Sequence, residues 1–220
     1  MYKISKRLLD IFIAGVALLL LLPVFIPVMI ALKLTGEGEI FYFQRRIGLK
    51  NQYFDIWKFA TMLKNSLNMG SGSITVRNDP RVTSVGKFLR MTKINELPQI
   101  INVLRGDMSI VGPRPLVDRT FQSYSPEVQA RVYDSPPGIT GIGSIIFRDE
   151  EKLISESGED PHAFYDRVIA PYKGALEMWY QAHKSLWLDI QLIFLTAWVI
   201  IFKESDLPYR MFQDLPKRTF

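Results

Sequence analysis

The chain has 220 residues, 48% of them hydrophobic, so it can bury one sizeable core, and nothing in it indicates a second independent domain. Its 27 lysine and arginine residues outnumber its 22 aspartate and glutamate residues, and this formal charge of +5 suits an anionic partner such as nucleic acid, a phosphoester or an anionic lipid. Because cysteine is absent, disulfides, thiolate metal sites and cysteine nucleophiles are excluded.

An uncharged apolar segment runs from residue 11 to residue 32, directly after a charged N-terminus. Because it exceeds about 18 residues, it predicts insertion into a membrane. A secretory signal peptide fits less well, since its apolar core is usually about 7 to 15 residues long and is followed by a cleavage site of small residues. The sequence therefore predicts a membrane-embedded protein.

Two prolines, Pro23 and Pro27, lie in the middle of this segment and lack the N–H that an unbroken helix needs, which predicts a kink or break near Pro23. Basic residues flank both ends, so the positive-inside rule gives no orientation for a single span. A helical hairpin that enters and leaves on the cytoplasmic face satisfies both flanks. A proline-kinked spanning helix is the alternative, because membrane helices tolerate proline. The residues alone leave both open.

Beyond this segment, a soluble α/β unit is predicted. Residues 39–46 and 52–59 are rich in aromatic and β-branched types and are separated by a turn at residues 48–52, so they predict a β-hairpin. Residues 64–80 carry Asn, Ser, Gly and Asp without apolar periodicity and predict an exposed loop.

Apolar residues recur at helical spacing between Leu97 and Leu104, which predicts a helix. Asn95 is a suitable N-cap for this helix and Gly106 a suitable stop. A strand is predicted next, over residues 109–111.

Polar residues cluster where turns meet the ends of this helix. Glu96 lies at its start, where free N–H groups favour a phosphate, so its carboxylate is a candidate for phosphate chemistry; a carboxylate that complements the helix dipole is the alternative. Residues 112–115 read Gly-Pro-Arg-Pro, so Arg114 sits on a stiffened loop that suits a bidentate grip on a diphosphate, or simply on a rigid turn. Asp107 is a turn residue or a metal ligand.

An ordered series of motifs matches a known enzyme family. The motifs are the charged segment 6–10 with the apolar segment after it, Gln44, Arg46 and Gly48, residues 58–62, and the polar motifs between residues 79 and 115. Together they resemble the bacterial sugar transferases of the small monotopic phosphoglycosyl transferase family. The resemblance covers roughly residues 1–203.

The resemblance implies an enzyme that transfers a sugar 1-phosphate from a UDP-sugar to a polyprenyl phosphate, such as undecaprenyl phosphate. Mg²⁺ is the implied cofactor and UMP the released product, and the lipid-linked sugar would begin a surface polysaccharide or a glycoprotein glycan. Donor, acceptor and membrane lipid are thus the expected partners. Nucleic acid is not expected, because the basic residues are dispersed among acidic ones and no nucleic-acid motif is present. Homo-oligomerisation stays open.

The family also implies an architecture. Residues 1–34 would form a proline-broken, re-entrant membrane helix hairpin. Residues 35–203 would form a mostly helical α/β (α+β) catalytic domain with interfacial helices, on the cytoplasmic face of the bacterial inner membrane. Residues 204–220 match no known pattern and are interpreted as a C-terminal tail.

In this family a carboxylate at the start of the helix attacks the β-phosphate of the donor and forms a covalent phosphosugar-enzyme. The resemblance places Glu96 and its neighbour Asn95 at that point, and Glu96 and Asp107 are the candidate metal ligands. The positions that it assigns to phosphate or substrate binding are Gln44, Arg46, Lys58, Arg90, Pro113, Arg114, Pro115 and Arg148.

The chain departs from the family at the catalytic pair, where the usual Asp-Glu is replaced by Asn95-Glu96. An amide is neither a nucleophile nor an equivalent metal ligand. Three hypotheses follow: Glu96 is the nucleophile, the transfer is direct and in line with the Asn95 amide placing a phosphate oxygen, or the chain is catalytically impaired and acts as a membrane scaffold in a glycan assembly complex. We expect an active enzyme in which Glu96 is essential.

The second half departs as well. Residues 142–148 lack the Gln and Asn-Gly that usually precede the matching Arg148. The sugar used by better-known members therefore does not predict the sugar used by this chain. The apolar stretch 192–202 is too short to span a bilayer. With Trp187 and Trp198 nearby, it predicts either core packing or a position at the membrane interface.

Overall fold

The computed structural model describes residues 2–35, 37–64, 66, 80–202, 205–218 and 220. The loop predicted over residues 64–80 falls outside these residues except at its edges. Within the described part, the protein is a mixed helical and sheet structure that is mostly helical, as predicted.

One long apolar helix, α1 (Tyr2–Leu34), forms the N-terminal part. By length and composition it is able to cross a membrane, which agrees with the predicted membrane segment. The helix continues through Pro23 and Pro27, so the break predicted near Pro23 is not seen. A proline removes one backbone hydrogen bond from a helix, and helices in apolar surroundings accommodate that loss through neighbouring groups.

α1 packs against the rest of the protein near both of its ends. Lys6, Asp10 and Ala14 are buried in its first half, and Phe25 and Leu32 are buried in its second half. Apolar side chains on its other faces are exposed. Exposed apolar surface of this extent marks an interaction with lipid or protein.

The predicted β-hairpin is confirmed. Strands β1 (Phe41–Ile47) and β2 (Tyr53–Phe59) pair antiparallel with Phe41 opposite Phe59. A short 3₁₀ turn, Leu49–Asn51, joins them, and two of its residues adopt left-handed backbone conformations that reverse the chain.

The helical region after the hairpin differs from the prediction at its start. α2 (Ser84–Met91) is followed by a 3₁₀ turn, Ile94–Glu96, and then by α3 (Gln99–Arg105). The prediction that Asn95 is the N-cap was wrong, because Pro98 holds that position and Asn95 lies inside the 3₁₀ turn. Proline lacks an N–H and is preorganised for the start of a helix, so α3 begins after it. The predicted stop at Gly106 is confirmed, with φ at 93°.

The remaining elements form around a second small sheet. β3 (Ser109–Val111), which agrees with the predicted strand, pairs parallel with β4 (Gly138–Thr140). In the chain, two helices come between these strands, α4 (Asp118–Gln122) and α5 (Pro126–Arg131). The helices that follow are α6 (Ile142–Ile146), α7 (Glu150–Glu156), α8 (Pro161–Phe164), α9 (Ala170–His183), α10 (Leu186–Ile201) and α11 (Leu207–Met211).

Two apolar cores hold these elements together. One lies between α1, the hairpin and α3, where Phe25 packs edge-on against Phe59 with ring centroids 5.3 Å apart. The other lies between the β3–β4 sheet and α6, α9 and α10. Phe212 and Leu215, from the predicted C-terminal tail, are buried in this second core.

The C-terminal apolar stretch, for which core packing and a position at the membrane interface were the two predictions, lies in α10. Leu188, Leu192 and Leu195 recur at helical spacing and are buried, while Trp187 and Phe194 are exposed. One face of α10 therefore packs in the core, as one of the two predictions states, and the other face is exposed; its position at a membrane interface stays a prediction.

Candidate active site

One face of the hairpin supplies polar groups to a shared pocket. Because side chains alternate along a strand and cross-strand neighbours share a face, Gln44 and Arg46 of β1 lie on the same side as Ile56 and Lys58 of β2. Arg46 Nη2 donates to Gln44 Oε1 at 2.7 Å, and Arg46 Nη1 donates to the Pro115 carbonyl at 3.4 Å. The hairpin thus reaches the turn that carries Arg114.

The hairpin face, the 3₁₀ turn and the turn of Arg114 surround one pocket, which we call the Glu96 pocket. Its lining residues are Arg46, Ile56, Lys58, Glu96, Gln99, Arg114, Pro115, Gly138 and Ile139. Three of these side chains are cationic and one is a carboxylate, so the pocket is suited to an anion that carries more than one negative charge.

Glu96 lies at the end of the 3₁₀ turn, and its Oε1 atom is 3.7 Å from Lys58 Nζ. Burial raises the pKa of this carboxyl group, but the charges of Lys58, Arg114 and Lys93 together outweigh that effect and hold the pKa below its ordinary value. A side-chain hydrogen bond from Gln99 acts in the same direction. Glu96 is therefore ionised at neutral pH, which is the form that can act as a nucleophile or a metal ligand.

The pKa of Lys58 lies well below the ordinary value for a lysine. Burial lowers the pKa of its ammonium group to about 8. The Glu96 carboxylate opposes this effect, and three guanidinium groups reinforce it, those of Arg46, Arg114 and Arg90. Because several cations share the pocket with one carboxylate, a bound phosphate would relieve their mutual repulsion.

The Asn95 amide occupies a different environment from the Glu96 carboxylate. Its side chain is buried, and Oδ1 has no hydrogen-bond partner among the described residues. Asn95 is also not among the residues that line the Glu96 pocket. Of the two adjacent side chains, Glu96 is the one that faces the basic groups.

Arg90 and Arg148 lie outside the lining of the Glu96 pocket. Arg90 Nε donates to Thr61 Oγ1 at 3.1 Å, and its charge still reaches Lys58. Arg148 follows α6, and its Nη1 atom is buried without a hydrogen-bond partner in the described part of the chain.

Asp107, the second candidate metal ligand, follows the far end of α3 from Glu96. Its carboxylate is 3.2 Å from Arg105 Nε and accepts from Asn102 Nδ2 at 3.2 Å. The described residues contain no group of three or more His, Cys, Asp or Glu side chains that could hold a metal ion. The structure does not bring Asp107 into the Glu96 pocket.

Lys93, Gln99 and the segment Gly138–Ile139 are parts of the site that were not among the candidate site residues, although Gln99 and residues 137–141 belong to motifs that resemble the family. Lys93 adopts a left-handed conformation at φ 60° that starts the 3₁₀ turn. Gln99 lies three residues after Glu96, which places it on the same side of a helical turn, so spacing could have indicated it. Gly138 and Ile139 reach the pocket only through the pairing of β4 with β3, which no local pattern predicts.

The protein is mostly helical and has a helix of membrane-spanning length, and its pocket places an ionised carboxylate among cations. Such a pocket has the features of a phosphoryl-transfer site. The model of the bacterial sugar transferase family matches residues 1–203, and the chain belongs to that family.

Three relatives illustrate the similarity. The chain is 35% identical over 208 residues to the undecaprenyl-phosphate glucose phosphotransferase of Komagataeibacter xylinus, which covers 92% of this chain and 37% of that protein. It is 38% identical over 173 residues to the exopolysaccharide production protein ExoY of Sinorhizobium fredii, which covers 72% of this chain and 76% of the relative. It is 36% identical over 197 residues to the UDP-glucose:undecaprenyl-phosphate glucose-1-phosphate transferase of Escherichia coli, which covers 89% of this chain and 40% of that protein. The chain thus spans less than half the length of the first and third relatives.

Proposed function

We propose that this protein transfers a sugar 1-phosphate from a UDP-sugar to undecaprenyl phosphate, releases UMP, and so performs the first membrane step in the synthesis of an exopolysaccharide or another surface glycan. The observation that carries this proposal is the Glu96 pocket, in which an ionised carboxylate lies 3.7 Å from a lysine ammonium and shares its surroundings with two arginines. The names of the relatives supply the donor and acceptor classes. The alternative of an impaired scaffold is not favoured, because the pocket keeps a charged carboxylate and two of the three relatives are named as a phosphotransferase or a transferase.

The proposed reaction is a two-step phosphoryl transfer through the Glu96 carboxylate, assisted by the cations of the pocket. A Glu96 oxygen attacks the β-phosphorus of the donor, the bond from that phosphorus to the bridging oxygen breaks, and UMP leaves with the bonding electrons. An oxygen of the lipid phosphate then attacks the same phosphorus and expels the Glu96 carboxylate, which regenerates the enzyme. Lys58, Arg46 and Arg114 stabilise the negative charge that accumulates on the phosphoryl oxygens.

Asn95 is proposed to position rather than to attack. An amide carries no nucleophilic lone pair comparable with that of a carboxylate, and its side chain is buried beside the pocket instead of lining it. Its unpartnered Oδ1 atom is the feature that a substrate or ion would satisfy, since a buried polar atom without a partner is costly.

A magnesium ion fits this site only if the substrate provides part of its coordination. Glu96 offers a carboxylate oxygen of the hard type that Mg²⁺ prefers, and substrate phosphates commonly complete such sites. When bound, the ion would neutralise charge on the diphosphate. Because Asp107 is engaged with Arg105 and Asn102, we assign it no part in holding the metal.

The re-entrant arrangement of α1 is also part of this proposal. Asp10 accepts from Ser109 Oγ at 3.0 Å, while Phe25 packs against Phe59, so two distant parts of α1 contact one globular unit. A helix that crosses about 30 Å of hydrocarbon would carry its two ends to opposite sides. These contacts support both ends of α1 lying on the side of the membrane that holds the catalytic unit. The basic residues at both ends of the apolar segment favour the cytoplasmic face of the inner membrane for that side.

Cysteine labelling tests the arrangement of α1 without background, because the chain has no cysteine. Lys3 and Lys33 flank the apolar segment and are exposed. We expect Lys3→Cys and Lys33→Cys in intact spheroplasts to resist a membrane-impermeant maleimide equally and to react once the membrane is opened. Labelling of only one of them in intact spheroplasts would show a spanning helix.

The transferase itself is tested by UMP release. Purified protein in lipid discs is supplied with Mg²⁺, undecaprenyl phosphate and a panel of UDP-sugars, next to Glu96→Gln and the control Glu127→Gln, which makes the same change on the exposed part of α5. We expect continued, multiple-turnover release that requires the lipid, persists in the control and is lost in Glu96→Gln. Normal turnover in Glu96→Gln would move the nucleophile elsewhere. No release from any donor, followed by activity in Asn95→Asp, would identify an impaired relative.

A further inference from the structure

The turn that carries Arg114 is held by main-chain hydrogen bonds on both flanks. Gly112 N donates to the Thr140 carbonyl at 2.9 Å, and Gly138 N donates to the Pro113 carbonyl at 2.9 Å. On the other side, Ile47 N donates to the Leu116 carbonyl at 2.9 Å. The ends of the turn are therefore fixed by β4 and by the hairpin, which leaves the N–H and the C=O of Arg114 itself in need of partners.

Tyr133 satisfies the carboxyl side of Arg114. Its side chain is almost completely buried, and its hydroxyl donates to the Arg114 carbonyl at 2.8 Å while it accepts from Leu116 N at 2.9 Å. A single hydroxyl group thus bridges the turn across Pro115 and uses its donor and one acceptor position at once.

Glu177 satisfies the amino side of Arg114. It comes from α9, is 1% exposed, and accepts a hydrogen bond from the Arg114 backbone N–H. Gly143 leaves room for it, since a Cβ atom at that position would lie 2.3 Å from Glu177 Oε1. The packing of α6 on α9 is therefore built around this carboxyl group.

The burial of Glu177 is costly, which argues for a role beyond packing. Burial raises its pKa to about 7, although the charge of Lys173 and the hydrogen bond from Arg114 both lower it. Its Oε2 atom has no hydrogen-bond partner among the described residues. An apolar side chain of similar size would cost less at a position with no role beyond packing.

We propose that Tyr133 and Glu177 are positioning residues that fix the two peptide groups of Arg114 and thereby aim its guanidinium group at the diphosphate in the Glu96 pocket. This inference rests on the proposed function and adds to it two residues that lie outside the pocket lining. The prolines on either side of Arg114 restrict φ, but they do not determine the direction of the peptide planes between them. Tyr133 fixes the plane that follows Arg114, and Glu177 fixes the plane that precedes it together with the bond from Gly138 N to the Pro113 carbonyl.

A double-mutant cycle tests whether the two residues act through Arg114. Tyr133→Phe, Glu177→Gln and Arg114→Ala are made singly, and each of the first two is combined with Arg114→Ala. Two quantities are measured on the folded protein in lipid discs: the Kd for UDP, which supplies a diphosphate without turnover, and the kcat and KM for the UDP-sugar.

We expect Tyr133→Phe to weaken UDP binding and to lower kcat/KM for the donor about tenfold, because a small displacement of a positioned group is amplified in both quantities. In the Arg114→Ala background, Tyr133→Phe and Glu177→Gln should have no further effect on either quantity, since the group that they position is gone. Non-additivity of this kind is not produced by a general loss of stability.

Tyr172→Phe is the matched control. Tyr172 is also buried, and its hydroxyl makes two hydrogen bonds, at 2.8 Å with Tyr209 and at 2.9 Å with the Pro216 carbonyl, but neither involves Arg114. We expect a similar loss of thermal stability with an unchanged Kd for UDP.

Three results would overturn the inference: full additivity of Tyr133→Phe and Glu177→Gln with Arg114→Ala, wild-type UDP binding in both single variants, or loss of the folded state in both. Failure of the transferase proposal gives a different pattern. In that case the coupling in UDP binding remains while no variant, including the wild type, releases UMP.

Discussion

The protein contains two lysine–carboxylate pairs that differ in almost every physical respect. Lys6 Nζ lies 2.8 Å from Asp189 Oδ2, and both side chains are nearly inaccessible to solvent. Tyr2 and Tyr180 donate further hydrogen bonds to the same carboxylate, at 3.0 Å and 2.8 Å. This pair is saturated with partners, and it joins the start of α1 to α10.

The second pair, Lys58 and Glu96, is looser and more exposed. Its atoms are 3.7 Å apart, and a third of the Glu96 side chain is accessible. The groups around it are mostly cations, so the site carries an excess of positive charge that can attract an anion. A saturated pair stabilises a fold, whereas an incompletely satisfied pair at a surface is available to a ligand.

The largest expected effect is on catalysis. Glu96→Gln should reduce turnover by about 10⁴-fold or more, because a carboxamide does not replace a nucleophilic carboxylate. The free energy of unfolding should change little, since this pair is loose at 3.7 Å and only partly buried, and such pairs contribute little to stability. Activity assays and denaturant unfolding of the same preparation check both parts, and a large loss of stability would contradict the distinction between the two pairs.

The complementary change is Asp189→Asn, which removes the charge of the saturated pair. It leaves the Lys6 ammonium buried without its counter-ion, and we expect the free energy of unfolding to fall by about 3–5 kcal/mol. Unfolding in detergent, followed by tryptophan fluorescence, measures this. A loss below about 1 kcal/mol would mean that Lys6 reaches solvent more easily than its burial indicates.

The pH dependence separates the pairs further. Lys58 carries its charge below its pKa of about 8 and loses it above, so kcat/KM for the donor should fall as the pH rises through about 8. Removing a neighbouring cation by Arg46→Gln should move this alkaline limb to higher pH, because the repulsion that lowers the pKa is reduced. A profile that stays flat to pH 9.5 would show that the charge of Lys58 is not required.

The smallest expected effect concerns one hydrogen bond of the saturated pair. Tyr2→Phe removes the bond of 3.0 Å to Asp189 and should lower the free energy of unfolding by about 1 kcal/mol without a change in kcat. Thermal unfolding beside the activity assay measures it. A change in kcat would instead connect the start of α1 to the chemistry.

Much of the local structure was predictable because it is encoded by neighbouring residues. The hairpin follows from two β-prone segments around a turn, and the end of α3 follows from the left-handed conformation at Gly106. The structure also brings several of the candidate site residues together. Arg46, Lys58, Glu96 and Arg114 come together as the resemblance implied, whereas Arg148 lies outside the lining.

The missed features depend on packing between distant segments. The role of Asn95 as an N-cap failed because Pro98 starts α3, and only the folded backbone shows which of Asn95 and Glu96 faces the cations. Gly138 joins the pocket through strand pairing with Ser109, which lies 29 positions earlier in the chain.

By itself, the sequence determined that the protein has a long apolar N-terminal segment, a basic α/β unit and the ordered motifs of a bacterial sugar transferase. These properties depend on composition, periodicity and the order of short motifs, which are local to the chain. The tertiary structure alone decided that Glu96 faces the basic pocket, that Asp107 does not, and that Tyr133 and Glu177 hold the turn of Arg114. Those outcomes depend on burial and on contacts between segments far apart in the chain, which set the charge and the direction of each group.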